Sequence, residues 1–142
     1  MAPFSWTNDL YTGNTLIDGD HRKLVDFVNA FFQSMQSGED KDRIGKELNE
    51  LIAFTGEHFR REQAEMGRIR YVAALAHEAE HNKLLEQMAE LKEMLDAGGR
   101  INTSGVAMFL SGWLRDHILA ADMKLAAALK QQPGSAPATK PH

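Results

Sequence analysis

The chain has 142 residues, 43% of them hydrophobic, which suits one domain with a core and is short for two. Its net charge of -4 gives no basic excess that would attract nucleic acid or an anionic membrane. The absence of cysteine excludes disulfides, thiolate metal sites and thiol nucleophiles, so any metal must be bound by nitrogen and oxygen. No segment has the apolar run of a leader peptide or a membrane span, and we expect a soluble, cytoplasmic protein without membrane or nucleic-acid partners.

Four segments with a helical apolar period follow an irregular N-terminal arm of roughly twenty residues. Their expected bounds are Asp18 to Ser37, Asp40 to Arg68, Val72 to Asp96, and from Asn102–Ser104 to shortly before Pro133. Asp18 is expected to cap the first helix, and proline cannot continue the last one. Long helices with short connections predict antiparallel neighbours. The predicted fold is therefore all-α, an up-down-up-down antiparallel four-helix bundle with an irregular N-terminal arm.

The predicted bundle accounts for residues 1–132 as one domain. Residues 133–142 are small, polar and rich in proline, so they cannot bury a core. We expect these last residues to form a disordered tail.

Five of the six histidines fall on the apolar face of a predicted helix, together with one glutamate. They are His21, His58, His77, His81 and His117, with Glu62. One histidine on such a face is most often a core residue with a hydrogen-bonded neighbour. Six such groups would cost several kcal/mol without partners, because each unsatisfied polar group costs about 1–3 kcal/mol. A single metal cluster would satisfy all of them together. His142, the last residue, is set aside.

The spacing of these donors bears on the kind of cluster. Two pairs are four residues apart and so share a helix face, namely His58 with Glu62 and His77 with His81. Asp122 follows His117 by five residues, which an ideal helix places about 140° apart. Either the helix widens locally as a π-bulge, or Asp122 reaches around to bridge a second metal. Five imidazoles and two carboxylates exceed the needs of one tetrahedral zinc and suit two first-row ions with bridging carboxylates.

These motifs resemble the hemerythrin family, and in particular its single-domain bacterial members, which are four-helix bundles that bind dioxygen at a non-haem di-iron centre. The resemblance runs from about Phe4 to Gln131 and is carried by "FSW", "LIDGDH", "HFRRE", "HEAEH" and "WLRDHILAAD". It implies two iron ions with an oxo or hydroxo bridge as cofactor. One iron would be held by His77, His81 and His117, the other by His21 and His58, with Glu62 and Asp122 bridging.

The resemblance also implies a pocket for dioxygen at the iron that has fewer histidines. Its implied walls are Phe59, Trp113, Leu114 and Ile118. The implied function is reversible dioxygen carriage or storage, without catalysis and without catalytic residues. Two alternatives remain open, an oxygen or redox sensor domain of the same fold and a di-iron oxidase or ferroxidase. Oxidase sites of this kind use more carboxylates and fewer histidines than this chain offers.

The stretch from His77 to His81 also satisfies the H-E-x-x-H pattern of zinc proteases. Those enzymes need a third ligand farther along the chain and typically hold substrate against a sheet edge, for which this sequence predicts no strand. Glu78 is therefore expected to be a solvated residue, or one that lies just outside the metal ligands, and not a catalytic base. Departures from the hemerythrin pattern fall outside the implied ligands, at Asp20, Phe54, Gln63 and Val72.

Overall fold

The helices of the bundle are defined in the computed structural model, which describes residues 4–38, 40–98 and 103–131. Their bounds are Thr15–Gln36 for α1, Lys41–Arg68 for α2, Ala74–Asp96 for α3 and Thr103–His117 for α4, followed by a π-helical turn at Ile118–Asp122 and by α5 at Met123–Gln131. α1 packs against α2 and α4, and α2 packs against α3. Within the described ranges there is no strand. The predicted all-α four-helix bundle is confirmed, with α4, the π-helical turn and α5 forming its fourth helix.

The start of α1 differs from the prediction. Asn14 caps the helix, because its Oδ1 accepts a hydrogen bond of 3.0 Å from the amide of Ile17. Asp18 lies inside the first turn and accepts hydrogen bonds of 2.8 Å from the amide and from the hydroxyl of Thr12. The prediction that Asp18 caps α1 is wrong, since asparagine and aspartate are equally suitable caps and Asp18 is used to hold the preceding arm.

The other described helix ends lie close to their predicted positions. α2 begins next to Asp40, close to its predicted start, and Asp40 caps it, with its Oδ1 accepting a hydrogen bond of 2.8 Å from the amide of Arg43. α3 begins at Ala74, slightly later than predicted, because the chain first turns at Arg70, whose φ is 53°, and leaves Val72 99% exposed. The predicted tail at residues 133–142 lies outside the described residues.

The N-terminal arm is shorter than expected and packs on the bundle. It contains a 3₁₀ turn at Asn8–Leu10 that contacts the π-helical turn of the fourth helix. The Phe4 and Leu10 side chains are buried in the main apolar cluster. The Asn29 amide accepts from the backbone N–H of Phe4 at 3.2 Å and donates to its carbonyl at 3.1 Å. The arm therefore covers the bundle where the fourth helix departs from α-helical geometry.

Two apolar clusters form the core, and the predicted metal donors lie between them. On α1, Ile17 belongs to the smaller cluster and Leu24 to the larger one, with His21 between. The same order appears on α2, where Glu62 separates Phe59 from Met66. The donors therefore form a polar layer across the bundle. None of the helices in the described ranges combines the length and apolar character needed to cross a bilayer.

Candidate metal centre

All seven predicted metal donors are buried in this polar layer. His21 and His81 are 0% exposed, and His117, the most accessible of the seven, is 4% exposed. The donors come from every helix of the bundle: His21 from α1, His58 and Glu62 from α2, His77 and His81 from α3, and His117 and Asp122 from the fourth helix. Tertiary packing thus brings together residues that are as much as a hundred positions apart in the chain.

The donors form two overlapping groups. One consists of Glu62, His77, His81, His117 and Asp122, and the other of His21, His58, Glu62 and Asp122; within each group the donor atoms lie within 4.8 Å of one another. Glu62 and Asp122 belong to both groups. Two nearby ions that share a pair of carboxylates would need this arrangement.

Each shared carboxylate directs one oxygen towards each group. The Oε1 atom of Glu62 lies 3.2 Å from Nε2 of His77, and its Oε2 atom lies 3.1 Å from Nε2 of His58. Asp122 places Oδ1 at 2.9 Å from Nε2 of His77 and Oδ2 at 2.8 Å from Nε2 of His21. Both side chains therefore have the geometry of bridges between two cation positions.

The π-helical turn explains how Asp122 reaches this layer. The amide of Met123 donates to the carbonyl of Ile118, five residues earlier, so one extra residue is accommodated between His117 and Asp122. As a result, Oδ1 of Asp122 lies 3.1 Å from Nε2 of His117. The sequence left open a local widening or a bridging aspartate. The local widening is present, and it places Asp122 between the two donor groups.

Several of these buried donor atoms have no hydrogen-bond partner. They are Nε2 of His21, His58 and His77, together with both carboxylate oxygens of Glu62 and Asp122. The close approaches among them lack hydrogen-bond geometry, and each unsatisfied buried polar group costs about 1–3 kcal/mol. All of them face the same small space. A pair of cations there would satisfy them, and a donor set of imidazoles and carboxylates without thiolates suits first-row ions such as iron.

The matching family model, described as "Hemerythrin HHE cation binding domain", covers residues 12–129. The chain belongs to the hemerythrin family. It is 33% identical to the bacteriohemerythrin of Methylococcus capsulatus over 83% of this chain and 90% of that protein. It is 30% identical to the bacteriohemerythrin of Pseudomonas paraeruginosa, over 83% of this chain and 76% of that protein. A wild-type hemerythrin crystal structure matches with a TM-score of 0.83 at 31% identity, covering 89% of this chain and 97% of that one.

Two carboxylates outside the hemerythrin donor set hold the outer nitrogens of ligand candidates. Nδ1 of His58 lies 2.9 Å from Oδ2 of Asp20, and Nδ1 of His117 lies 2.8 Å from Oε1 of Glu80. Because an ionised carboxylate only accepts, Nδ1 carries the proton in both rings and Nε2 is free to bind a cation. In the sequence, Asp20 was visible only as a departure from the hemerythrin pattern and Glu80 gave no signal, since each contact joins two different helices.

Aromatic rings stack on two imidazoles of the layer. The Phe59 ring stacks on His81 with centroids 3.6 Å apart, and the Trp113 ring stacks on His117 with centroids 4.5 Å apart. Glu78, the middle acid of the protease-like pattern, belongs to neither donor group. The contacts in the described part of the chain therefore give that pattern no protease-like site.

A small cavity of about 20 Å³ adjoins the donors. Of the four residues that the resemblance placed in the dioxygen pocket, Phe59, Trp113 and Leu114 line this cavity, and its polar lining includes His58, His117 and Asp122. Ile118 packs in the core cluster and is not among the lining residues. The remaining lining residues, which sequence analysis missed, are Leu24, Val28, Leu51, Thr55, Leu84, Met88 and Leu110. The cavity is large enough for one molecule of about the size of water.

The pKa values of the donor side chains show how the carboxylate charges in the layer are balanced when no cation is bound. Burial lowers the pKa of His58, but its contacts with Asp20 and Glu62 outweigh this and raise the pKa to about 9. The pKa of His77 is likewise lowered by burial and raised to about 9 by Asp122 and Glu62. Burial raises the pKa of Glu62, but its histidine partners hold it well below the usual range. Protons on the imidazoles would therefore take the place of cations.

Metal-free protein is expected to lose stability as pH rises from about 6.5 to about 9. The pKa values of His58 and His77 are raised on folding to about 9, so their protons stabilise the folded state below the unfolded value and are lost above the folded one. Burial lowers the pKa of His81, which opposes this trend but is a single group. Urea unfolding at about pH 6 and about pH 9.5 measures the effect. A metal-free protein equally stable at both values would contradict it.

Proposed function

We propose that the protein binds dioxygen reversibly, as a carrier or store, at a di-iron centre in the polar layer. The supporting observation is the pair of buried donor groups that share Glu62 and Asp122. In this proposal one iron would be held by His77, His81 and His117 and the other by His21 and His58, with Glu62 and Asp122 available to both irons and an oxo or hydroxo group completing the centre. When bound, the two ferrous ions supply the electrons that dioxygen binding requires.

The residues of the chain would hold the ions and keep water away. The group with two histidines has fewer protein donors and leaves room for a ligand beside the cavity. The cavity wall is mostly apolar. The hydroxyl of Thr55, which lies in this wall, donates a hydrogen bond of 2.7 Å to the carbonyl of Leu51. Among the lining residues, the ionisable ones are His58, His117 and Asp122, all members of the donor set. A site without an additional acid or base favours reversible binding over catalysis.

We further propose that residues 1–132 act as one domain in the cytoplasm, with dioxygen as the ligand and no nucleic-acid partner. The net charge of -4 and the absence of cysteine support this placement.

Metal analysis and an optical oxygen titration test the proposal together. The purified protein should contain about two irons per chain. The reduced protein should gain a visible absorption band in air and lose it under vacuum. Continuous consumption of dioxygen with added ferrous iron would instead indicate an oxidase or ferroxidase. Protein that retains no iron would exclude both.

Replacing Leu114 with alanine is expected to speed autoxidation several-fold while iron stays bound. Leu114 is 6% exposed and lines the cavity, so the smaller side chain would open space for water beside the ions. The measurement is the decay rate of the oxygenated absorption band. Leu95→Ala is the matched control, because Leu95 is also buried in the main cluster but does not line the cavity. Equal decay rates in the Leu114 variant and the parent would remove Leu114 from the pocket.

A further inference from the structure

One ligand candidate, His58, is held from outside by an ion pair that joins two helices. Asp20 on α1 is 8% exposed, and its Oδ2 lies 2.9 Å from Nδ1 of His58 on α2. Arg61, one turn beyond His58, donates to the same carboxylate with both arms of its guanidinium. Its Nε lies 2.8 Å from Oδ2 and its Nη2 lies 2.9 Å from Oδ1. Such a bidentate contact fixes the plane of the carboxylate as well as its position.

Among the described contacts, no histidine of the other donor group is held by a buried carboxylate that is itself bound by an arginine. His117 contacts Glu80, whose side chain is 53% exposed. Nδ1 of His81 faces the neutral amide of Gln63 at a longer distance of 3.4 Å. The two cation positions therefore differ in their outer contacts as well as in their number of histidines. The more rigid contact belongs to the group beside which we place the dioxygen site.

We propose that Asp20 and Arg61 are positioning residues, which act through His58 to set the affinity and the redox potential of the iron that binds dioxygen. The proposal rests on the proposed function. Asp20 keeps the proton on Nδ1, so that Nε2 of His58 points into the centre. The negative charge of Asp20 also makes the imidazole a stronger electron donor to a bound metal ion, and the positive charge of Arg61 reduces this effect. The two hydrogen bonds from the Arg61 guanidinium prevent the carboxylate from rotating.

Removing the negative charge of Asp20 and removing the positive charge of Arg61 should shift the midpoint potential of the iron in opposite directions. Each iron loses one electron to the electrode as it passes from ferrous to ferric, which adds one positive charge to the centre. Asp20→Asn removes a nearby negative charge, so the ferric state is less favoured and the midpoint potential should rise. Arg61→Gln removes a positive charge, so the midpoint potential should fall. This second shift should be smaller and should weaken with added salt, because the Arg61 side chain is 37% exposed.

Binding of zinc, which has no redox chemistry, provides a second measurement. Competition with a chelator should show that Asp20→Asn weakens one of two zinc sites by roughly 10–100-fold and leaves the other nearly unchanged. Glu57→Gln is the matched control. Glu57 lies 3.9 Å from Arg61 on the same helix and is 54% exposed, and it is not among the partners of His58, so this variant should match the parent in both measurements.

Rescue by the conservative variant separates positioning from bulk stability. Arg61→Lys keeps the charge but loses the fork, so its potential should lie near that of the parent while its zinc affinity falls. Shifts of potential in the same direction for Asp20→Asn and Arg61→Gln, or unchanged potential and zinc affinity, would overturn the proposal. If the parent binds two metal ions but fails the oxygen titration, only the proposed function is lost. If the parent passes that titration and the Asp20 variant equals it, only this inference is lost.

Discussion

Removal of the metal is expected to lower the melting temperature by roughly 10–20 °C at a pH of about 9. Without cations, the partnerless atoms of the layer include Nε2 of His21 and both oxygens of Glu62 and Asp122. Several such groups at about 1–3 kcal/mol each amount to more than about 5 kcal/mol. One kcal/mol shifts the melting temperature of a domain of this size by about 2–4 °C. Burial of donors that the apolar core cannot satisfy makes this the largest expected effect.

The effect should depend on pH in a defined direction. At a pH of about 6, protons on His58 and His77 partly replace the cations, so the loss on chelation should be smaller there than at about 9. Calorimetry of chelated and reloaded protein at the two pH values measures both differences. Restoration of the original melting temperature on adding ferrous iron without air is the control. Equal melting temperatures with and without metal would show that the layer does not depend on cations.

Replacing Glu62 with glutamine is expected to reduce bound iron from about two to at most about one per chain. Glu62 directs Oε1 towards His77 and Oε2 towards His58, each at a distance close to 3 Å, so both proposed cation positions would depend on its two oxygens. An amide of the same shape offers one oxygen, and its NH₂ group cannot bind a cation. Glu62 is 2% exposed, so bulk water cannot reach the lost contact without opening the bundle.

Iron content after gel filtration and chelator challenge measures this loss. Glu65→Gln is the matched control, since Glu65 lies on the same helix but contacts Arg68 at 2.7 Å, away from the donors. The control should retain the iron of the parent. Retention of two irons by the Glu62 variant would show that Glu62 does not bridge the ions.

The helices of the fold could be predicted because they depend on local sequence patterns. The apolar period of each segment identifies a helix and its buried face, because the geometry of an α-helix depends on neighbouring residues alone. The start of α2 beside Asp40 was predicted on the same local grounds. Asn14 and Asp18 show the limit of such reasoning, since both can cap a helix and only the contact of Asp18 with Thr12 in the arm decides between them.

The candidate site likewise has features that depend on local sequence and features that depend on how the helices pack. The sequence by itself determined that five histidines and Glu62 lie on the apolar faces of helices and which family the motifs resemble, since helical spacing and motif order are both local properties. Only the tertiary structure decided that Asp122 turns inward through a π-helical turn, that Ile118 packs in the main apolar cluster, and that Asp20 on α1 meets His58 on α2. The physical reason is that contacts between helices depend on how whole helices pack and where each backbone departs from regularity, and no short stretch of sequence contains that information.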